Sequence, residues 1–323
     1  MLVSIVIPLY NKEEYFERCF NSVLKQTYKY IECIIVEDCS TDKSAELAEY
    51  LITSYTGNIN FSLVKHMHNR GHAAARNTGI HHSQGDYIYH LDSDDAITEN
   101  CISSLVALLE KYIEVDIVQG NTYRVPLKND GSNGYDFKGS LPEFIKGNIK
   151  IKYFYYHKRF PINSWNKLIK KSFITQNNLY FKPGFIHEDQ FWTFFALKYI
   201  KTFAFTAEYC YIHYIEPNSI TTGKKCDFSR SITAHLMIAE SMLSNLDIVF
   251  LAKNLFRAHK MLNRAKAMIL SNSKYLHFLP EYKTLKKKIP NPLFFLTLVI
   301  FVGLKEIKNI FIDIYSKLKS CKK

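Results

Sequence analysis

Short apolar segments alternate with amphipathic segments over the first third of the chain. Residues 3–8, 31–36 and 61–64 are apolar runs of strand length, and each is followed by apolar residues at helical spacing. Strands that are apolar on both faces and separated by helices indicate a parallel sheet. The sequence therefore predicts an α/β fold with a mostly parallel sheet flanked by helices. The predicted strands are 3–8, 31–36, 61–64, 86–92 and 115–118, and the predicted helices are 15–24, 40–51, 73–81 and 102–112.

The rest of the chain changes character twice. Residues 129–140 are rich in turn-forming residues, the segment up to about residue 222 is rich in aromatic residues, and a helical pattern runs over 230–270. We therefore expect an α/β domain over residues 1–222 and a helical C-terminal region over residues 223–323.

Polar residues follow three of the predicted strands. Tyr10 and Asn11 follow the first strand, residues 37–38 follow the second, and residues 92–94 follow the fourth. Ligands of parallel sheets bind outside the carboxyl ends of the strands, so these groups are expected to converge on one binding edge. Asn11 is also placed to cap the first helix, with Glu14 three residues later.

Asp92 and Asp94 are expected to point the same way, because side chains alternate along a strand. Two carboxylates at the carboxyl end of a strand suit a hard cation such as Mg²⁺ or Mn²⁺, which would neutralise a diphosphate. The alternative is that both are solvated turn acids that cap the helix near Thr98. Asp95 is expected to point to the other face and to support the turn.

Positive charge is concentrated near the end of the chain. The 323 residues carry a formal charge of +12, and their 47% hydrophobic and 22% charged residues indicate a folded globular protein. Residues 281–323 contain ten lysines and three acids. Apolar residues from Ile307 to Leu318 recur at helical spacing, which predicts a basic amphipathic helix on a membrane surface. Packing within the protein or in a dimer is the alternative. Nucleic-acid binding is disfavoured, because no nucleic-acid motif and no basic stripe in the sheet domain accompany the tail.

The location of the protein is predicted from what the sequence lacks. Seven cysteines without a CxxC pair favour a reducing compartment over a zinc site or a disulfide framework. The first residues carry no basic leader, so no secretory signal is expected. The longest apolar run, Leu293–Leu304, has 12 residues, short of the roughly 20 that span a bilayer. We expect a cytoplasmic protein with peripheral contact at the inner face of the cell membrane.

Five segments in order carry a resemblance to a known family. SIVIPLYN, VEDCSTD, NRGHAAARNTG, GDYIYHLDSDD and HEDQFW together resemble family 2 of the inverting glycosyltransferases, over about residues 2–222. The resemblance implies the GT-A fold, with a Rossmann-like sheet, and the transfer of a sugar from a nucleotide diphosphate to an acceptor hydroxyl. It also implies that residues 1–120 bind the nucleotide and residues 121–222 the acceptor. At Cys39 the family usually has glycine, which leaves the local turn geometry open because cysteine tolerates a positive φ less well.

The resemblance also implies roles for individual residues. Tyr10 would stack on a nucleobase, expected to be uracil, or serve as a turn aromatic, and Asp38 would accept the ring N–H or cap the next helix. Asp94 would bind the metal, with Asp92 nearer the ribose or a water on the metal and His213 as a further metal candidate or a structural histidine. The implied donor-binding residues are Pro8, Tyr10, Asn11, Asp38, Arg76, Asn77 and Asp92.

The acceptor side is expected to supply the base. An attacking hydroxyl must lose its proton as the new bond forms, and a carboxylate can take it. By resemblance Asp189 is this base, while Glu188 and Trp165 face the acceptor; the alternative for Glu188 and Asp189 is a pair of acids at a helix start.

Residues 165–168, 211–214 and 218–221 are similar to segments of bacterial polysaccharide glycosyltransferases. They imply a hexosyltransferase that uses Mn²⁺ or Mg²⁺ and builds a surface polysaccharide or lipo-oligosaccharide on a glycan or lipid-linked acceptor. The alternative hypothesis is a non-catalytic nucleotide-sugar-binding protein.

Overall fold

A computed structural model describes residues 1–126, 141–157, 163–184, 186–215, 228–245 and 251–289. The chain forms two compact units, residues 1–224 and residues 225–323. The predicted surface loop, the 218–221 segment and the basic tail helix lie outside the described residues.

The first unit opens with alternating strands and helices. Its elements up to residue 125 are β1 (Val3–Leu9), α1 (Phe16–Leu24), β2 (Ile31–Glu37), α2 (Ser44–Ser54), β3 (Asn60–Lys65), α3 (His72–His82), β4 (Tyr87–His90), β5 (Ala96–Ile97), α4 (Cys101–Lys111) and β6 (Ile117–Val125). The predicted strands and helices of this region are found with ends that shift by up to four residues, except that β6 runs seven residues beyond its predicted end; β5 was not predicted.

The second half of this unit adds elements that the sequence pattern did not predict individually. They are β7 (Phe144–Lys146), α5 (Asn148–Tyr156), β8 (Lys167–Lys170), α6 (Lys171–Gln176), α7 (Glu188–Tyr199) and β9 (Thr202–Tyr214). The described residues of the second unit form α8 (Phe228–Ser244), α9 (Leu251–Ser271), a 3₁₀ turn (Ser273–Phe278) and α10 (Leu279–Lys287).

The nine strands in the described part of the chain belong to one sheet, in the order β3-β2-β1-β4-β8-β6-β9-β5, with β7 paired to β9. The pairs among β1, β2, β3 and β4 are parallel. β8 is antiparallel to both β4 and β6, and β6 is parallel to β9. The predicted α/β fold is therefore confirmed, as a mixed sheet. The chain reverses its direction of travel across the sheet between β1 and β4, where sheets of this type bind ligands.

β1 is buried along its whole length because the sheet is covered on both faces. Ile5 and Ile7 pack in an apolar layer that includes residues of α1 and α4. Val6 points to the opposite layer, which includes residues of α3 and α7. Burial on both sides explains why the strand has no alternation of polar and apolar residues.

The predicted capping role of Asn11 is wrong. α1 begins at Phe16, its cap position is Tyr15, and no side chain caps it. The Asn11 side chain instead accepts a hydrogen bond from the Thr41 backbone N–H at 2.8 Å and donates to the Thr41 hydroxyl at 3.1 Å. Asn11 therefore joins the loop after β1 to the loop after β2.

The contact of α3 with β1 depends on a glycine. A Cβ atom placed on Gly79 would lie 2.2 Å from Cγ1 of Val6. Gly79→Ala is expected to lower the free energy of unfolding by about 1–3 kcal/mol through overpacking, although alanine favours a helix by about 1 kcal/mol. Urea denaturation measures the change. Asn21→Ala, on the exposed face of α1, is the control and should shift stability by less than about 0.5 kcal/mol. Unchanged stability of Gly79→Ala would contradict the close packing of α3 on β1.

Candidate active site

The loops after β1 and β2 form one side of the edge at which the parallel strands end. Tyr10 is 42% exposed there, whereas Pro8 is buried within β1. Cys39 has a φ of 61°. The cysteine therefore adopts the left-handed backbone conformation that glycine favours.

Asp38 anchors the segment before α3. Its carboxylate accepts hydrogen bonds from the backbone N–H groups of Arg70 at 2.9 Å and Gly71 at 2.7 Å. His66 Nδ1 lies 2.6 Å from the same carboxylate, and the Asp38 side chain is almost fully buried. Asp38 does not cap α2. The backbone N–H of Ser44, the first residue of α2, instead donates a hydrogen bond to the Asp42 carboxylate. The predicted contact of Asp38 with a base stays a prediction.

Asp92 and Asp94 do not lie on a strand. β4 ends at His90, and the chain turns at residues 92–95, where the Asp95 N–H donates to the Asp92 carbonyl at 3.0 Å. The expectation from strand alternation is therefore wrong. Asp92 contacts Arg76, whereas Asp94 contacts Lys12.

Arg76 joins the two ends of the candidate site. Its guanidinium lies 2.8 Å from Asp92, 3.0 Å from Glu188 and 3.0 Å from Asp189. The Arg76 side chain is 1% exposed, so it is buried within the cluster. α3 supplies the arginine, the turn after β4 supplies Asp92, and the start of α7 supplies the other two carboxylates. The residues predicted for the donor side and for the base therefore meet in one cluster.

His72 is a second cationic group in this cluster. Its Nε2 lies 3.3 Å from Asp92 and its Nδ1 lies 3.3 Å from Glu188. Burial and the charge of Arg76 oppose protonation, but hydrogen bonds to the two carboxylates raise the pKa of His72 to about 9. We did not predict this residue, although it lies inside the motif that contains Arg76.

Neighbouring carboxylates in this cluster differ in proton affinity. Against the effect of burial, the hydrogen bond from His72 and the charge of Arg76 lower the pKa of Glu188 to about 2. Burial outweighs the charge of Arg76 and raises the pKa of Asp189 above its ordinary value. Burial lowers the pKa of Lys167 to about 7, although the negative charge of Asp189 acts in the opposite direction. Of the two acids of α7, Asp189 is therefore the one that binds a proton more readily.

Asp94 is the most open of the candidate metal ligands. Its carboxylate lies 2.6 Å from the Lys12 ammonium, with about a quarter of each side chain exposed. A cation is thus already accommodated at these oxygens, and carboxylate oxygen suits Mg²⁺ or Mn²⁺. Within the part of the chain that the structure describes, no group of three or more His, Cys, Asp or Glu side chains could hold a metal. The residues fit an ion held by one or two carboxylates and substrate phosphates, rather than a closed protein site.

His213 lies beside Asp95. Its Nδ1 is 3.1 Å from the Asp95 carboxylate, which also accepts hydrogen bonds from the Tyr211 hydroxyl at 2.7 Å and the Tyr214 N–H at 2.8 Å. Asp95 thus supports the turn through β9, in the way predicted. Trp165 is buried and stacks on Tyr211 and His213, with ring centroids 4.5 and 5.3 Å apart. The metal role of His213 and the acceptor role of Trp165 stay predictions.

Asn77 ties α3 to the segment before α7. Its side chain donates to the Phe181 carbonyl at 2.7 Å and accepts from the Phe181 N–H at 2.8 Å. These two bonds hold the start of α7 close to Arg76. The predicted contact of Asn77 with the donor stays a prediction.

A mixed sheet whose strand-end turns bring an arginine together with acids from distant segments is the architecture of the GT-A fold. Residues 4–188 match the family model described as Glycosyl transferase family 2. The chain belongs to this family.

Two curated relatives and two solved structures set the scale of similarity. TarP of Staphylococcus aureus, named a poly(ribitol-phosphate) beta-N-acetylglucosaminyltransferase, is 31% identical over 236 residues, which cover 71% of this chain and 67% of TarP. Glycosyltransferase GlyG of Streptococcus pneumoniae is 39% identical over 142 residues, 42% of this chain and 45% of GlyG. The chain thus spans less than half the length of this relative.

The solved structures share the fold. Staphylococcus aureus TarS in complex with UDP-GlcNAc superposes with a TM-score of 0.68 at 19% identity, covering 90% of this chain and 82% of that one. The mannosyltransferase PcManGT of Pyrobaculum calidifontis, in complex with GDP-Man and Mn²⁺, has a TM-score of 0.53 at 14% identity, covering 94% and 86%.

Replacing Arg76 tests the cluster. Arg76→Met leaves three mostly buried carboxylates without their shared cation, and we expect it to lower the free energy of unfolding by about 3–5 kcal/mol near pH 7. Glu188 has a lowered pKa of about 2 in the folded protein, against about 4.3 when unfolded. Its stabilising contribution is therefore present above the unfolded value and is lost as the pH falls towards the folded one. The difference between the two proteins should accordingly shrink at low pH.

Urea denaturation across a pH series measures this dependence. Lys65→Met is the matched control, because Lys65 pairs with Glu49 at 2.6 Å with both side chains about half exposed. Its effect should be small at every pH. A similar loss in both variants, or a loss independent of pH for Arg76→Met, would contradict the charge pairing described here.

Proposed function

We propose that the protein is a metal-dependent, inverting glycosyltransferase that moves a sugar from a UDP-sugar to an acceptor hydroxyl in bacterial surface-glycan synthesis. The observation that supports this most strongly is the contact of Arg76 with Asp92 on one side and with Glu188 and Asp189 on the other. In a transferase of this kind, the charged groups that bind the donor diphosphate and the base that acts on the acceptor must lie no farther apart than the length of one sugar.

Asp189 is the proposed base. Its raised pKa beside the lowered pKa of Glu188 is the pattern by which paired carboxylates divide acid–base roles. The acceptor hydroxyl gives its proton to Asp189 while its oxygen forms the bond to the anomeric carbon. The bond from that carbon to the diphosphate oxygen breaks on the opposite face, and its electron pair leaves with the diphosphate. Attack from the face opposite the leaving group inverts the anomeric centre. Glu188, which stays ionised, and Trp165 are proposed to face the acceptor.

The proposed donor side extends from the loop after β1 to α3. Tyr10 stacks on the base from its exposed position. The pocket is shaped by Pro8 near the end of β1, and by Asn11 and Asp38 through the loops that they join. Arg76 and Asn77 face the nucleotide-sugar from α3, and Asp92 contacts the ribose. UDP is proposed because TarS was solved with UDP-GlcNAc.

A divalent cation is part of the proposal. Mg²⁺ or Mn²⁺ supplies charge neutralisation for the leaving diphosphate when it is bound. Asp94 would hold the ion, with Asp92 and His213 as further candidate ligands. The structure of PcManGT with GDP-Man and Mn²⁺ supports a metal in an enzyme of this fold.

The division of labour along the chain is also a proposal. Residues 1–120 bind the nucleotide, residues 121–222 bind a glycan or lipid-linked acceptor, and residues 223–323 provide a helical region with a basic tail at the inner membrane surface. No described helix is long and apolar enough to cross a bilayer.

Asp189→Asn is expected to lower sugar transfer by about 10²–10⁴-fold, because general-base catalysis is lost. Its affinity for UDP, measured by calorimetry, should stay close to that of the unchanged protein because the base acts on the acceptor. Asp86→Asn, an exposed substitution at the other end of β4, is the matched control and should leave both quantities unchanged. Full transfer activity in Asp189→Asn would refute the assignment of the base.

A screen of UDP-sugars with Mn²⁺, with Mg²⁺ and with a chelator, scored by released UDP, tests the proposed function. We expect one particular UDP-sugar to give UDP release. This release should require the cation and should increase when acceptor is added. Asp94→Ala should abolish release and also remove the effect of the cation on donor binding, while Asp86→Ala should change neither. Donor binding without release under any condition would instead indicate a non-catalytic nucleotide-sugar-binding protein.

A further inference from the structure

All of the net charge of the protein belongs to its second unit. Residues 1–224 contain 24 lysines and arginines and 24 aspartates and glutamates, whereas residues 225–323 contain 18 and 6. The excess is therefore not confined to the end of the chain. The described residues of the second unit alone carry eleven basic residues against Glu240 and Glu281. The basic residues are Arg230, Lys253, Arg257, Lys260, Arg264, Lys266, Lys274, Lys283, Lys286, Lys287 and Lys288.

α9 uses one face to build the core of this unit. Its buried residues recur at helical spacing, and α9 contains no acidic residue. These buried positions are Asn254, Leu255, Ala258, Met261, Leu262, Ala265 and Ile269. The opposite face of the helix is not part of this core.

The opposite face of α9 carries exposed apolar side chains. Phe256 is 56% exposed and Leu270 is 58% exposed. At about 100° per residue, Phe256, Ala267 and Leu270 fall within an arc of about 60°, an arc that also includes Asn263. Phe256 and Leu270 lie on the same helix face about 21 Å apart, so both can enter an interfacial environment when the helix lies parallel to a surface.

Cations flank the apolar strip on both sides. By the same spacing, Lys260 and Arg264 lie along one edge of the strip and Lys266 along the other, and all three are exposed. A helix with an apolar strip between basic borders is the form that lies in the plane of a bilayer interface, with the apolar side chains among the acyl chains and the cations at the headgroups.

We propose that this face of α9, defined by Phe256, Lys260, Arg264, Lys266 and Leu270, binds the surface of an anionic lipid bilayer. The proposal deepens the membrane contact of the proposed function, since it assigns a lipid-facing surface to a folded helix that is separate from the tail. A phosphate-bearing polymer would be attracted by the same cations. It would not require the exposed phenylalanine and leucine, and these favour a bilayer.

Binding of the full chain to vesicles tests the proposal. Vesicles made of equal parts phosphatidylcholine and phosphatidylglycerol should bind the protein more tightly than phosphatidylcholine alone, and added salt should weaken this binding. Lys260→Glu with Arg264→Glu should lower partition by at least about 30-fold, since each basic residue near the surface contributes a factor of about five. The matched control is Lys25→Glu with Lys29→Glu, which reverses two exposed lysines of the first unit and should bind nearly as the unchanged chain does.

A second pair of variants separates a bilayer from a polyanion. Phe256→Ser with Leu270→Ser should lower vesicle partition by about tenfold or more, and should leave binding to inorganic polyphosphate unchanged. Tyr30→Ser with Tyr50→Ser, at two exposed tyrosines of the first unit, is its control. Unchanged vesicle binding in the Phe256 and Leu270 variant would overturn the proposal. Binding to polyphosphate without binding to vesicles would overturn it in favour of a phosphate polymer.

UDP release measured without vesicles distinguishes failure of the lipid-surface proposal from failure of the proposed function. All four variants lie outside the candidate active site and should release UDP as the unchanged chain does. Release that persists when no variant affects vesicle binding would reject the lipid surface alone. Vesicle binding that follows the predicted order in a protein that releases no UDP would reject the transferase function and leave the lipid surface supported.

Discussion

The pairing of Arg76 with three carboxylates is the interaction on which the rest of the site depends. A buried guanidinium is stable only when its charge is matched, and its planar fork can serve several acids at once. Asp92, Glu188 and Asp189 each approach within 3.0 Å. α3, the turn after β4 and the start of α7 are therefore held together by charge, and none of them can move away without leaving an unpaired ion. The hydrogen bond from His72 and the charge of Arg76 lower the pKa of Glu188, whereas at Asp189 burial outweighs the charge of Arg76 and raises the pKa.

The sheet topology explains why residues so far apart in the chain reach one place. β1 and β4 are adjacent and parallel, and β8 continues the sheet beyond β4 in the antiparallel direction. The loops after β1 and β4 therefore leave the sheet on the same side. Asn77 then fastens α3 to the segment that enters α7. Local hydrogen bonds and one shared cation thus gather side chains from distant segments at one edge of the sheet.

The sequence predicted the parallel half of the sheet because strands buried on both faces are apolar throughout, as β1 and β2 are. It did not predict β7–β9, whose pairing depends on contacts distant in sequence. The site residues were found from ordered motifs, but their partners were not. The contact of Lys12 with Asp94 and of His72 with Glu188 joins segments more than 80 residues apart. The wrong expectation for Asp92 and Asp94 arose because β4 ends at His90, two residues earlier than the apolar pattern suggested.

The two units differ in their charge. The first unit has balanced charge and a buried ion cluster, and the second has an excess of positive charge. The most direct test of the account is a crystal structure with UDP-sugar and Mn²⁺ bound. We predict that the diphosphate lies at the turn of residues 92–95, that Arg76 stays beside Asp92, and that Asp189 faces the anomeric carbon from the side opposite the diphosphate. A donor bound away from Arg76, or an Asp189 on the same side as the leaving group, would contradict it.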